Sequence, residues 1–116
     1  MESGSFSGQP GGEILALVKA VQVTDVPSGT GKVVQVEGKT LALFNLGGTF
    51  YAIDNACTHV GGPLGEGTVD GTVVVCPWHG SRFEIKTGKV VGPPATRNVT
   101  TYPARTQDGA VYIDLP

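Results

Sequence analysis

The chain has two cysteines and two histidines, and all four lie between residues 57 and 79, as Cys57-Thr58-His59 and Cys76-Pro77-Trp78-His79. Thiolates and imidazoles hold soft and borderline metals, so their confinement to two short, matching clusters points to a metal site. The order is Cys-x-His, a spacer over residues 60–75, then Cys-x-x-His. A single zinc could take all four ligands as a closed tetrahedral site with a structural role. A binuclear iron-sulfur cluster could instead take both thiolates on one iron and both imidazoles on the other. Zinc sites of this composition usually draw two Cys from one cluster and two His from another. Here each cluster is mixed, which favours the two-metal arrangement and leaves zinc as the alternative.

Two mixed clusters this far apart in sequence need a scaffold that folds the chain back between them. Asp70-Gly71 is a turn signal between Gly67–Val69 and Thr72–Val75, and such a hairpin would carry Cys76 back toward Cys57. Arg82–Ile85 and Val90–Val91, separated by Lys86-Thr87-Gly88-Lys89, repeat the device beyond the second cluster. The window from about residue 55 to 92 thus reads as a small β subdomain with the metal-bearing loops at its tips. Before it, Lys32–Val36 and Thr40–Leu46 flank Glu37-Gly38-Lys39, and Gly47-Gly48 turns the chain into Thr49–Asp54. Leu41 and Leu43 face one way while Ala42, Phe44 and Leu46 face the other, so this strand is expected to be central and covered on both sides. After the window, Asn98–Tyr102 and Ala110–Leu115 bracket Gln107-Asp108-Gly109 as a closing hairpin. Residues 14–23 have apolar groups at helix-compatible intervals, but their β-branched content favours a strand. Residues 1–12, rich in Ser and Gly, are expected to form a flexible tail, with one domain over 13–116.

Composition narrows the functional classes. With 116 residues, 18 glycines, 8 prolines and 40% hydrophobic residues, the chain suits one turn-rich, all-β domain. A net charge of -2 and the lack of any basic run argue against nucleic acid. No stretch of about 18 apolar residues is present to span a bilayer. If both cysteines bind metal, none remains for a disulfide, as a reducing cytoplasm favours.

The residues around the ligands carry a resemblance. Cys57-Thr58-His59-Val60-Gly61-Gly62-Pro63-Leu64 and Cys76-Pro77-Trp78-His79-Gly80-Ser81-Arg82-Phe83, followed by Thr87-Gly88-Lys89 and Gly92-Pro93-Pro94-Ala95, resemble the Rieske iron-sulfur family, most closely its small soluble ferredoxins. The resemblance runs from about residue 12 to 115. It implies an antiparallel β-sandwich or barrel with a cluster-binding subdomain and one Rieske [2Fe-2S] cluster per chain. Cys57 and Cys76 would hold the buried iron, and His59 and His79 the outer one. The loop Gly92-Pro93-Pro94 is similar to the family's proline-bearing loop that covers the cluster's third side. The N–H groups of Val60, Gly62, Trp78 and Gly80 are candidate donors to cluster sulfur, and Ser81 matches a serine that can donate its hydroxyl there.

Departures from the family's high-potential branch are also informative. Gly62 and Trp78 stand where membrane-complex members have an extra pair of cysteines joined as a disulfide, and Phe83 stands where they have a tyrosine hydroxyl donor. Hydrogen bonds to sulfur favour the more negative, reduced state, so one missing donor implies a potential in the lower part of the Rieske range of about -150 to +300 mV. The implied activity is electron transfer without catalysis. The donor would be an NAD(P)H-dependent flavoprotein reductase and the acceptor a terminal, ring-hydroxylating oxygenase. Docking at the cluster tip is expected, with Trp78 as part of an apolar surface. The alternatives are the small subunit of an assimilatory nitrite reductase, which shares the fold, and a zinc-stabilised interaction module.

Overall fold

The computed structural model describes residues 16–116, so the expectation of a flexible tail over 1–12 lies outside the described residues. Eleven strands form three antiparallel sheets among the described residues. The middle sheet is built from β2 (Thr30–Val36), β3 (Lys39–Leu46), β4 (Thr49–Asp54) and the short β9 (Thr101–Tyr102), in that order. Two-residue turns at Glu37-Gly38 and Gly47-Gly48 hold both positions at positive φ, which matches the right-handed twist of the strands they join.

Strand β3 is central, as its two apolar faces require. Leu41 and Leu43 point into one core, with Val34, Val36, Phe50, Ala52, Val111, Ile113 and Leu115. Ala42 and Phe44 point into a second core on the opposite face, with Ile53, Leu64, Val74, Phe83, Ile85 and both cysteines. The first core is closed by the sheet of β1 (Ala16–Gln22), β11 (Ala110–Leu115) and β10 (Ala104–Gln107). The second is closed by the meander of β5 (Thr68–Asp70), β6 (Val73–Val75), β7 (Arg82–Glu84) and β8 (Val90–Gly92), the small subdomain that carries the ligand loops.

Two local expectations are corrected. The turn between β5 and β6 is Gly71-Thr72 rather than Asp70-Gly71, because Asp70 pairs across the ladder with Val73. The exposed Asp70 carboxylate also reaches Arg82 at 3.0 Å across the neighbouring strands. The partner of β11 in the closing hairpin is β10, not residues 98–102. Only Thr101 and Tyr102 of that stretch form a strand, and they pair with β4. Pro103, which cannot donate to a ladder, separates the two pairings. For residues 16–22 the strand reading holds, with β1 set against β11. No described helix is long and apolar enough to cross a membrane.

Candidate metal centre

The two ligand loops are built alike, although their sequences differ. In loop 1 (residues 57–63), the Cys57 carbonyl accepts from Gly61 N–H at 2.8 Å, and Cys57 N–H donates to the Gly62 carbonyl at 2.9 Å. In loop 2 (residues 76–81), the Cys76 carbonyl accepts from Gly80 N–H at 3.1 Å, and Cys76 N–H donates to the Ser81 carbonyl at 2.8 Å. The fifth residue of each loop, Gly61 or Gly80, sits at a φ near +80°, a left-handed conformation that closes the loop and that glycine adopts without steric cost. The matching frames differ in one respect: His59 follows its cysteine by two residues and His79 by three.

Each loop is anchored to the sheets. Asn55, just past β4, accepts Leu64 N–H on its carbonyl and Gly65 N–H on Oδ1, both at 2.8 Å, and so pinches the base of loop 1. Loop 2 leaves β6 and enters β7, whose ladder fixes its two ends. The β5–β6 hairpin brings the loops face to face. A Cβ on Gly62 would lie 2.6 Å from Cys76 Sγ and 3.1–3.2 Å from the Trp78 ring, so loop 1 leaves room for both groups of loop 2.

The four sequence-predicted ligands sort by depth. Cys57 and Cys76 are buried and free of any disulfide, at the edge of the second core. His59 and His79 are exposed at the tip, their ring centroids 5.2 Å apart and their planes nearly perpendicular. Donors of one tetrahedral zinc must converge on a single point about 2.0–2.3 Å from each atom. Among the described residues no three Cys, His, Asp or Glu side chains are gathered in that way. A buried thiol pair facing an exposed imidazole pair instead suits a group with two metal positions, one inner and one outer.

Polar groups around the gap fit the same reading. Ser81 is wholly buried, and its Oγ accepts Ala95 N–H at 3.0 Å. Its own proton has no acceptor among the described residues, and a buried hydroxyl normally has one. The N–H groups of Val60, Gly62 and Trp78 likewise donate to no protein acceptor among the described residues, whereas Gly80 N–H is taken by the Cys76 carbonyl. Of the expected backbone donors, Gly80 is therefore already engaged. Pro93 and Pro94 are exposed and lead into the buried Ala95, whose N–H reaches Ser81. Phe83 is sealed in the core shared with the cysteines.

Sequence reasoning overlooked several residues around the site. Thr58 Oγ1 donates to the Arg97 carbonyl at 2.6 Å, across 39 positions of sequence. Val91, in β8 just before the proline loop, is as exposed as Val60 and Trp78. The Tyr102 hydroxyl donates to Asp54 at 2.7 Å, at the end of the strand that feeds loop 1. Burial, this hydrogen bond and the Asp54 charge together push Tyr102 up to about 12. A Thr between two ligands was the one available signal, and its acceptor is a backbone atom that no residue type announces.

Comparison with known proteins places these observations. Residues 16–103 match the Rieske [2Fe-2S] domain family. The chain is 41% identical over 98 residues to the ferredoxin component of the naphthalene 1,2-dioxygenase system of Pseudomonas putida, covering 84% of this chain and 94% of that protein. Among solved structures it resembles a Sphingomonas yanoikuyae B1 ferredoxin with a TM-score of 0.81 at 37% identity, over 87% of this chain and all of the other. It also resembles the matching chain in a complex of reduced oxygenase and oxidized ferredoxin of carbazole 1,9a-dioxygenase, with a TM-score of 0.78 at 35% identity, over 84% and 91% of the two chains.

Proposed function

The chain belongs to the Rieske [2Fe-2S] family, and from that premise we propose that Cys57 and Cys76 hold an inner iron while His59 and His79 hold an outer one. The protein is an electron carrier of an oxygenase system rather than a catalyst. When bound, the cluster supplies a one-electron redox couple, and its imidazole ligands add less negative charge than thiolates would.

The residues divide the work around that couple. The buried cysteines anchor the inner side within apolar surroundings that exclude water. The exposed histidines bring the outer side to the surface, where a partner can approach. Val60 and Trp78, two of the four exposed large hydrophobics among the described residues, directly neighbour His59 and His79 in the chain, and Val91 is exposed just before the proline loop. Such a rim suits transient docking of a flavoprotein reductase and then of a terminal oxygenase, because burying it excludes water between the redox centres. A cytoplasmic setting, in which both thiols stay reduced until the cluster is inserted, belongs to the same proposal.

The reading is carried by one observation, the buried thiol pair opposed to an exposed imidazole pair on two loops of like build. Stoichiometric iron with acid-labile sulfide and a Rieske EPR signal on reduction are expected. His79→Ala should abolish that signal, and an unchanged signal would refute the ligand assignment. Stoichiometric zinc without sulfide would favour the interaction module instead. The nitrite reductase small subunit is the weaker alternative, because the relatives are dioxygenase ferredoxins and all four ligands are in place.

A further inference from the structure

We propose that residues 95–97 form a noncovalent clasp that sets the gap between the two ligand loops, with Thr58 and Ser81 as its positioning residues. The inference rests on the ligation proposed above.

Each loop closes on its own backbone, and among the described residues no hydrogen bond passes directly from loop 1 to loop 2. Both cysteines are free, so no covalent link joins the loops either. What does join them is a third segment. Thr58 Oγ1 donates to the Arg97 carbonyl at 2.6 Å, and Ala95 N–H donates to Ser81 Oγ at 3.0 Å. The two attachment points are thus held by a span of three residues, short enough to transmit a displacement rather than absorb it. Ala95 is buried in the same core as Cys57 and Cys76, which fixes the span against the body of the protein.

Position makes Thr58 the sensitive end. It lies between Cys57 and His59, so its hydrogen bond orients the backbone from which both ligands of loop 1 project. Ser81 closes loop 2 through its carbonyl and holds the clasp through its hydroxyl. A clasp works only with both ends attached, so cutting one end should remove most of what cutting both removes. Thr30 offers a control, since its hydroxyl makes a comparable 2.7 Å bond to the Pro27 carbonyl in a local turn away from the site.

The test uses the cluster-loaded protein as wild type, Thr58→Val, Thr58→Ser, Ser81→Ala, the Thr58→Val/Ser81→Ala double variant and Thr30→Val. The readouts are the rate at which visible absorbance is lost to an iron chelator and the EPR line shape of the reduced form. Thr58→Val is expected to release iron several-fold faster with a broadened signal, while Thr58→Ser and Thr30→Val follow wild type. The double variant should be no faster than the faster single one. Wild-type release and line shape in Thr58→Val, or rate factors that multiply in the double variant, would overturn the clasp. Should Thr58→Val take up no cluster, normal uptake by Thr58→Ser supports the role of the hydroxyl and failure of both refutes it. A wild-type protein that takes up no iron and sulfide fails at the ligation step and removes the clasp with it.

Discussion

At the scale of the residue, the proposed cluster makes two side chains the place to test how strongly the site favours an extra electron. Ser81 is wholly buried, its oxygen engaged by Ala95 and its proton free for an acceptor in the gap. Phe83, equally buried, has no polar atom to offer. A hydrogen bond that is about 1 kcal/mol stronger in the reduced state shifts a one-electron potential by roughly 40 mV. Ser81→Ala should therefore lower the potential by about that amount, and Phe83→Tyr should raise it similarly, as read by protein-film voltammetry. If neither shifts, hydrogen bonding to sulfur is not what tunes this centre. The tyrosine variant carries a second signature, because a hydroxyl that found no acceptor there would cost about 1–3 kcal/mol of stability.

At the scale of the element, the loops depend on how their strands deliver them. Asp54 ends β4 and takes three bonds at once: its N–H donates to the Thr100 carbonyl, and its carboxylate accepts from Thr100 N–H and the Tyr102 hydroxyl. This fastens the root of loop 1 to β9, a strand of only two residues. With Tyr102 raised to about 12 in the folded protein, its neutral form is the one the fold favours. That contribution is complete below the ordinary tyrosine value near 10 and is lost as pH rises from there toward about 12. Tyr102→Phe should remove the last tyrosine step from an ultraviolet titration, and its stability deficit against wild type should shrink over the same interval. Persistence of a step near pH 12 would assign the shift elsewhere. Gly62→Ala tests the close approach of the loops: its Cβ would sit 2.6 Å from Cys76 Sγ, so cluster uptake should fall sharply while the β sheets keep their far-ultraviolet signal. Normal uptake would mean that the loops separate at little cost.

At the scale of the molecule, charge is distributed away from the working end. The ligand loops and the proline loop, residues 56–64, 76–81 and 91–98, carry one formal charge, that of Arg97, besides the two histidines. An exposed apolar rim with so little charge gives weak long-range steering, and most of its affinity must come from burial at contact. Electron transfer to an oxygenase should therefore change by less than about threefold between low and physiological ionic strength, since salt screens only charged contacts. Trp78→Ala should slow that transfer by about tenfold, the loss expected of one truncated hot-spot aromatic, with the potential nearly unchanged. Stopped-flow kinetics with a purified partner checks both, and a steep salt dependence or an unaltered Trp78→Ala rate would move the docking face elsewhere.

How far the sequence alone reaches follows from the range of the forces involved. The two matching Cys/His clusters, the central placement of β3 and most hairpins were legible because residue chemistry, side-chain alternation and turn residues act over a few positions. The failures are of one kind. Asp70-Gly71 and Gly71-Thr72 are comparable turn sequences, and the cross-strand ladder chose between them. The real partner of β11, exposed and polar in β10, lacked the alternation that would have marked it. Thr58, Ala95 and Arg97 carry no local sign that a hydroxyl and a carbonyl 39 positions apart would meet. The residues by themselves pointed to a metal centre of the Rieske class and marked the four side chains proposed to hold it. The order of burial expected from the family resemblance, cysteines inside and histidines outside, is the one the structure shows, whereas only the packed structure decided that Thr58 and Ser81 would each bond to residues 95–97, because backbone partners are chosen by the whole fold.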